Sequence, residues 1–521
     1  MEFNQIYNTD ALEGLKQLDE NSIDAIISDP PYQLTSITRS RPDQTEDGEY
    51  GREVPFSRVQ SRIKGFMNKD WDVLPSVDIL KECLRVLKTG AWALWLMTPR
   101  QDSQLEFLLR LRQAGFNISF SEISWIYLSG FPKAAELSLL ADKRACREDL
   151  TQKLGREPTK EEFKEAWGKW REVIGKDMRW KNLDIRNGHN REYGSALYAK
   201  EQTERYNKDI TKASSPEAQA LSGSYAGMQL KPARELIIVS QKPISGKTYL
   251  DQALLHLKEP EHNQLGGTWL DEARIPYKSH EDYEKATFGN NSGLIKKDKN
   301  DYGDFSMFPY EEKIKANPEG RFPANIIVSD NALSMYSEGA LAPVKAGQKG
   351  FGGIIYGKYD HAGDNGKTFY SDKEVDKSIS RYFDLDFWFE NKLKELPEEQ
   401  QKIFPFLYVP KASKSERNKG LENLETKNKG LNGGGGVGIT ERENILAKNI
   451  HPTAKPIKLM SYLITLTTRE NDIVLDPFIG SGTTAISSIL LKRRFIGFER
   501  EEEYYKIATE RIKYYQNKEV L

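Results

Sequence analysis

Cysteine is almost missing, with two in 521 residues, Cys83 and Cys146. They form no C-x-x-C pair and no metal-ligand spacing, which argues against a disulfide framework and a thiolate metal site and points to a reducing compartment. No run of 18 apolar residues exists, so a membrane span is not expected. The first ten residues lack a basic-then-apolar leader pattern, and a cytoplasmic protein is the expectation. Net charge is lacking too: 76 Lys and Arg stand against 77 Asp and Glu. A chain without a global basic field must meet any polyanion through local patches. Internal repeats and long low-complexity tracts are also absent.

What is present is length and alternation. A chain of 521 residues is too long for one ordinary core, and two or three domains are expected. Ile6–Asp10 reads as a short strand, Ala11–Leu18 as a helix with Leu12, Leu15 and Leu18 on one face, and Ala25–Ile27 as a buried strand. Ile79–Leu87 is a predicted helix with Gly90 as its stop, Ala91–Met97 a strand, Leu105–Leu111 a helix stopped by Gly115, and Ile118–Leu128 a strand. Near the other end come a helix over Ile457–Thr467, a strand over Asp472–Asp476, a helix over Ala485–Leu491, a strand over Arg494–Glu499 and a last helix opened by Glu501–Glu503. This alternation predicts an α/β fold with a doubly wound, mostly parallel sheet.

Two stretches interrupt the pattern. Residues 131–230 are charged and largely helical, with a capping box at Thr159–Glu162. After it Phe163, Trp167, Trp170 and Ile174 line one helical face, read here as core packing. Lys176–Lys200 interleaves Lys176, Arg179, Lys181, Arg186 and Arg191 with Trp180, His189 and Tyr193, which suits a nucleic-acid surface and a solvated face equally. Glu235–Ser240 restores strand character and is expected to pair with the Ile118–Leu128 strand, making 131–230 an insertion into a hairpin. Residues 246–445 are irregular, with Arg321–Val328 as the clearest ordered piece. Lys411, Lys414, Arg417 and Lys419 form a basic loop suited to phosphate, and Gly433–Gly436 reads as a flexible joint. The expected division is 1–130 and 446–521 as two parts of one core, 231–245 as a core strand, and 131–230 and 246–445 as insertions.

The chemistry concentrates at two turns. Ser28-Asp29-Pro30-Pro31-Tyr32 ends the Ala25–Ile27 strand abruptly, because neither proline donates a backbone hydrogen bond and both fix φ. The result is a stiff corner at a strand's C-terminal end, where open α/β sheets bind ligands. A carboxylate, rigid carbonyls and an aromatic ring suit one task, gripping a planar base with an exocyclic amine. Asp29 and the Pro30 carbonyl would accept both amine protons and expose the nitrogen lone pair for in-line displacement. Tyr32 would stack on a base flipped from the duplex. The plain alternative is a Pro-Pro strand terminator. A polar, irregular stretch over residues 35–70 follows this corner and reads as a lid or a substrate contact.

Gly480-Ser481-Gly482-Thr483-Thr484-Ala485 lies between a strand and a helix and is a nucleotide-type turn. Glu499 follows about twenty residues on, at the spacing of a carboxylate that grips ribose hydroxyls. The turn lacks the lysine a P-loop requires and ends in Ala, a tolerated variant of the dinucleotide pattern. Asp476, just before it, can bind a cationic amino-acid group, which fits S-adenosylmethionine better than a pyrophosphate.

Asp29–Tyr32, His451–Pro456 and Asp476–Glu499 together resemble the DNA amino-methyltransferases, which modify adenine N6 or cytosine N4. The catalytic tetrapeptide comes first and the cofactor turn last, an order that resembles the beta group. The resemblance covers roughly residues 1–128, 231–245 and 446–521. It implies that Asp29, Pro30, Pro31 and Tyr32 are catalytic. By it Asp476, Phe478, Gly480, Ser481, Gly482, Thr483 and Glu499 bind S-adenosyl-L-methionine, and Asp10 lies near the cofactor's adenine. His451, Thr453 and Lys455 match the segment that closes over its methionine part. It further implies a seven-stranded sheet of the S-adenosylmethionine-dependent type, target recognition in the insertions, double-stranded DNA as partner and no metal. Homodimers are frequent in that group. A cognate restriction endonuclease and an orphan role both stand. Asp-Pro-Pro-Tyr is more common among adenine enzymes and Ser-Pro-Pro-Tyr among cytosine ones, so adenine N6 is expected and cytosine N4 is the alternative. A catalytically silent DNA-binding module is the alternative outside the enzyme class. Cytosine C5 chemistry needs a Pro-Cys nucleophile, and Cys83 follows Glu82 while Cys146 follows Ala145. The size of the 131–230 insertion departs from the group and leaves the place of target recognition open.

Overall fold

Eight strands build the main sheet: β1 (Gln5–Tyr7), β2 (Ile23–Ser28), β3 (Leu87–Met97), β4 (Ile123–Ile126), β5 (Arg234–Gln241), β6 (Ile326–Val328), β7 (Ile473–Asp476) and β8 (Arg494–Phe498). The structure is a computed structural model and describes residues 1–33, 71–127, 134–176, 209–226, 233–289, 316–329, 384–396, 412, 414–428, 446–451 and 453–519. The spatial order is β1-β8-β7-β2-β3-β5-β4-β6. Neighbours are parallel except around β5, which runs antiparallel to both β3 and β4. The fold is therefore α/β with a mostly parallel sheet. It has eight strands where seven were expected, because the apolar run Ile326–Val328 pairs with β4 and covers what would be a bare edge.

Both faces of the sheet are buried, and alternate residues show it. Ile27, Leu94, Leu96, Val474 and Phe495 join one apolar cluster with the helices Ile457–Thr467 and Thr483–Leu490. Ile26, Ala93, Trp95, Met97, Leu475 and Ile496 join the other with the helices Val77–Val86 and Gln101–Ala114. Successive side chains point to opposite faces, so near-continuous apolar runs are what a sheet covered on both sides requires. β2 and β7 are neighbours, with Val474 opposite Ala25 and Leu475 opposite Ile26. The chain leaves β2 for β3 by Val77–Val86 on one face, and leaves β7 for β8 by Thr483–Leu490 on the other. The crevice at their carboxyl ends is thus the topological switch point of the sheet.

Local signals place most ends. Gln101–Ala114 closes on Gly115 at φ 102°. Gly90 does not end the preceding helix: that helix stops at Val86, Leu87 turns extended, and β3 begins there with Gly90 inside it. β4 is shorter than expected, yet β5 pairs with it antiparallel, with Ile123 opposite Ile237.

The chain divides into two compact units, one of Met1–Gly130, Ala233–Gly433 and Asn444–Leu521, the other of Phe131–Pro232 and Gly434–Glu443. The second unit packs the helix Leu137–Leu154 against Lys160–Trp170 and Pro216–Ala220, with an antiparallel pair of short strands, Val173–Lys176 and Asp209–Thr211. Its centre is polar. Buried Asp142 accepts from the Ser215 and Ser214 backbone N–H groups at 2.8 and 3.0 Å. The Thr159 capping box is formed, but the aromatic face after it is not a core. No residue of that helix is buried. Phe163 lies under the Arg147 guanidinium at 4.7 Å and Trp167 under the Lys143 ammonium at 5.4 Å. Ile174 falls beyond the helix and is 60% exposed. Long cationic side chains cover these rings in place of apolar neighbours.

Residues 35–70, the basic and aromatic run from Arg179 to Tyr193, Lys411 and Gly433–Gly436 lie outside the described residues. Among the described residues no helix is long and apolar enough to cross a membrane.

Candidate active site

The carboxyl ends of β1, β2, β7 and β8 surround a cavity of about 360 Å³, a size typical of small-ligand sites. Asp10, Asp29, Pro30, Pro31, Tyr32, His451, Thr453, Lys455, Asp476, Phe478, Gly480, Ser481, Thr483 and Glu499 all line it. Of the catalytic and cofactor-binding residues expected from the sequence only Gly482 does not line it; this glycine faces Ala508 and Ile512.

The glycine turn forms one wall. Gly480 has φ 53°, and a Cβ there would meet His451 Nε2 at 2.6 Å. Only glycine gives both the left-handed backbone and the room for that ring. Gly482, at φ 81°, starts the helix Thr483–Leu490 without a side-chain cap, and the helix's first residues, Thr483 and Thr484, line the cavity. Arg511 holds the turn from behind, donating to the Ser481 carbonyl and to Thr483 Oγ1. His451 and Trp71 each meet the Tyr504 ring edge-on, at 4.7 and 6.3 Å between centroids.

Two carboxylates sit on this side. Asp476 Oδ1 accepts from Ser28 Oγ at 2.5 Å and Phe478 N at 3.1 Å, and its Oδ2 accepts from Thr484 Oγ1 at 2.6 Å. A carboxylate offers about four acceptor positions, so roughly one remains. Burial pushes Asp476 up to about 6, against the hydrogen bonds from Ser28 and Thr484. Glu499 accepts from the Glu501 and Gly480 backbone N–H groups and is pushed up to about 7, again mainly by burial. Asp10 caps the helix Ala11–Leu15 through Leu12 N at 2.9 Å and is exposed to the cavity.

The opposite wall is the proline corner. Asp29 follows β2 directly, and its Oδ1 accepts from the Tyr32 hydroxyl. Asp72 accepts from Tyr32 N at 3.1 Å and Gln33 N at 2.9 Å, pinning the backbone behind the tetrapeptide. Lys455 Nζ reaches Asp29 Oδ2 at 3.1 Å, the Tyr32 hydroxyl at 2.9 Å and Glu235 Oε2 at 3.0 Å. Burial raises the Asp29 carboxyl, and the Lys455 ammonium pulls it back. Burial opposes the charge on Lys455, but Asp29 and Glu235 outweigh it and hold the ammonium charged well above the usual lysine range. The Tyr32 ring lies under that ammonium at 5.3 Å, so Tyr32 belongs to the hydrogen-bonded network of Asp29 as well as to the cavity wall.

The structure changes some expected placements. Lys455 shares its segment with His451 yet turns to Asp29, while His451 packs on the glycine turn at Gly480. Arg417 is not free for phosphate: it turns inward and donates to the His451 carbonyl at 2.6 Å. Its neighbour Glu416 accepts from Ile457 N at 2.7 Å, and Lys419 rests over the Tyr514 ring at 5.3 Å. Cys83 is buried, and burial pushes its thiol up, away from nucleophilic use. Ser28, Asp72, Glu235 and Arg511 were not legible as site residues. Ser28 had a signal, as the last strand residue before Asp29; the other three had none near the two turns.

A family model described as DNA methylase, of the N6/N4 type, matches residues 23–510. Among curated proteins the chain is similar to the type II methyltransferase M2.LlaDCHI of Lactococcus lactis subsp. cremoris, 50% identical over 62 residues, which are 12% of this chain and 23% of that protein. It is also similar to the type II methyltransferase M.HindIII of Haemophilus influenzae, 49% identical over 65 residues, 12% of this chain and 21% of that protein. The aligned stretches thus span under a quarter of those relatives' length. Among solved structures it resembles the PvuII DNA methyltransferase (cytosine-N4-specific) at 11% identity and a TM-score of 0.35, covering 99% of this chain and 91% of that one. It also resembles the M1.HpyAVI–SAM complex at 12% identity and a TM-score of 0.30, covering 98% of each chain. Matched by the family model over most of its length, the chain belongs to the DNA methylase family of N6/N4 type.

Proposed function

We propose that this chain transfers the methyl group of S-adenosyl-L-methionine to the N6 amine of adenine, in a base flipped out of double-stranded DNA. The observation that carries the reading is the meeting of Asp29 and the glycine turn in one cavity, one hydrogen bond apart through Ser28 and Asp476. The residues fit the cofactor. The Gly480 cradle admits a ligand against the backbone, Glu499 keeps acceptor capacity for ribose hydroxyls, and Asp476 keeps a place for an ammonium group. When bound, the cofactor supplies an electrophilic methyl group on a sulfonium.

Asp29 and the Pro30 carbonyl accept the two amine protons of the target base. This localises the lone pair on nitrogen and aims it across the cavity. A cofactor held by Gly480, Asp476 and Glu499 would present its methyl group to that nitrogen, and the proton the amine sheds would pass to the Asp29 carboxylate that already accepts it. The Pro30-Pro31 corner and Asp72 fix the backbone, so little reorganisation accompanies the step. The two insertions, 131–230 and 246–445, are the regions assigned to target recognition. A homodimer and a cognate restriction endonuclease are compatible with this reading and not required by it, and a cytoplasmic location suits it.

Nucleoside mass spectrometry of DNA from cells expressing the chain, beside Asp29→Ala, tests this. N6-methyladenine with the intact chain alone is the expected result. N4-methylcytosine would keep the mechanism and overturn the base. An unmodified genome would move the search to RNA and then to a silent DNA-binding module.

A further inference from the structure

Glu235 stands near the start of β5, far from the tetrapeptide in sequence. Its carboxylate is 3.0 Å from Lys455 Nζ, the ammonium that also lies 3.1 Å from Asp29 Oδ2. Its other oxygen accepts from the Tyr127 hydroxyl at 3.1 Å. Tyr127 is fixed in turn, donating its backbone N–H to the Ala233 carbonyl at 2.8 Å. The side chains of Lys455, Glu235 and Asp29 are only 9, 15 and 16% exposed. A single buried lysine with one aspartate would already be neutral. A second carboxylate on the same ammonium is more than neutralising that lysine requires.

Sharing explains the arrangement. A lysine bound to Asp29 alone would draw on the electron density that Asp29 must offer the target amine. A lysine divided between two carboxylates orients Asp29 and leaves it a stronger acceptor. The backbone of Asp29 is already set by Pro30, Pro31 and Asp72. Its side-chain torsions are the remaining freedom, and Lys455 and the Tyr32 hydroxyl remove them.

We propose that Glu235 and Lys455 are positioning residues for Asp29: Lys455 keeps the carboxylate ionised and turned to the cavity, and Glu235 holds Lys455 in place and moderates its pull. The proposal rests on the reading of Asp29 as acceptor of the target amine.

The test is single-turnover methyl transfer to DNA between about pH 5 and 9, with calorimetric titration of S-adenosylmethionine beside it. The groups facing Asp29 are Tyr32, Lys455, Glu235 and Asp476, with Tyr127 behind Glu235. Glu235→Gln removes a negative charge, so the acid limb of the profile moves to lower pH and the plateau falls about tenfold. Lys455→Met removes the positive charge, so the acid limb moves to higher pH and the plateau falls about 100-fold. Lys455→Arg recovers part of the rate, and cofactor affinity holds within about twofold throughout. Opposite displacements are the signature, because a merely loosened fold loses rate at every pH. Should Lys455→Met fail to fold, the near-isosteric Glu235→Gln carries the test alone. An acid limb that stays in place in Glu235→Gln, or moves the same way in both variants, overturns the proposal. Asp29→Ala run in parallel separates the two levels. Transfer surviving in it overturns the Asp29 reading and the positioning pair together. Transfer lost in it, with an unmoved Glu235→Gln profile, overturns the pair alone.

Discussion

Two carboxylate clusters share one end of the sheet and are met by different partners. At the proline corner, Asp29 and Glu235 divide a lysine that the protein supplies. At the glycine turn, Asp476 and Glu499 are met by hydroxyls and backbone N–H groups, and burial pushes them up to about 6 and about 7. The first cluster brings its own cation. Among the described residues no lysine or arginine is ion-paired with Asp476 or Glu499, and a cofactor with a sulfonium and an ammonium group would bring a positive neighbour. On the proposed function the difference separates the roles: the corner would be preorganised for chemistry, and ligand binding would complete the electrostatics of the turn.

The largest effect should come from breaking the corner. Asp29→Ala is expected to lower methyl transfer by at least about 10³-fold, since both orientation and lone-pair localisation are lost. Cofactor affinity should stay within a few-fold, read by calorimetry. A loss of binding equal to the loss of rate would merge the two clusters into one binding site and defeat the comparison. Breaking the turn should do the converse. Gly480→Ala forces a side chain into the left-handed region and into the His451 ring. An affinity loss of about 10- to 100-fold is expected, with transfer at saturating cofactor largely kept. Unchanged affinity would take the turn out of the cofactor site.

The pH response sharpens the contrast. Burial raises Glu499 above its unfolded value, so its stabilising contribution is full below about pH 4 and is lost as pH rises through about 7. Glu499→Gln removes that loss. The ligand-free variant should be more stable than the parent at pH 8, by up to on the order of 3 kcal/mol, and by only about 1 kcal/mol or less at pH 5. Its cofactor affinity should fall about tenfold, as expected for a lost charge-assisted hydrogen bond. Thermal melts at both pH values and one titration decide it. A variant less stable than the parent at pH 8 would show that the Glu499 charge is already compensated.

Much of this site was legible because its signals are local. Apolar runs closed by Pro30-Pro31 or by Gly480-Ser481-Gly482 mark where strands end, and parallel strands bring those ends to one edge. The helix Ile457–Thr467 matches its expected ends for the same reason. What failed was non-local or had a second physical solution. Gly90 looked like a helix stop, but a helix that passes directly into a strand needs no left-handed residue. Phe163 and Trp167 had helical spacing, and spacing does not distinguish an apolar neighbour from a covering cation. Arg417 read as a basic surface, yet its partner is a carbonyl 34 residues away. Glu235 meets Lys455 only because β5 returns antiparallel beside β3 and β4.

The smallest effect tests the bond that joins the two clusters. Ser28 is the residue before Asp29, and its hydroxyl donates to Asp476 Oδ1 at 2.5 Å across neighbouring strands. Ser28→Ala leaves that oxygen with the Phe478 N–H. The serine bond lowers the Asp476 pKa against the pull of burial, so its loss lets Asp476 rise further above about 6. Near pH 6 the parent is about half ionised there and the variant mostly protonated, while near pH 8 both are ionised. Cofactor affinity should therefore fall a few-fold at pH 6 and hardly at pH 8, with a stability loss of about 1 kcal/mol. If transfer at saturating cofactor falls as well, Ser28 carries information from the turn to Asp29. If only affinity at pH 6 changes, the two clusters are neighbours that act independently.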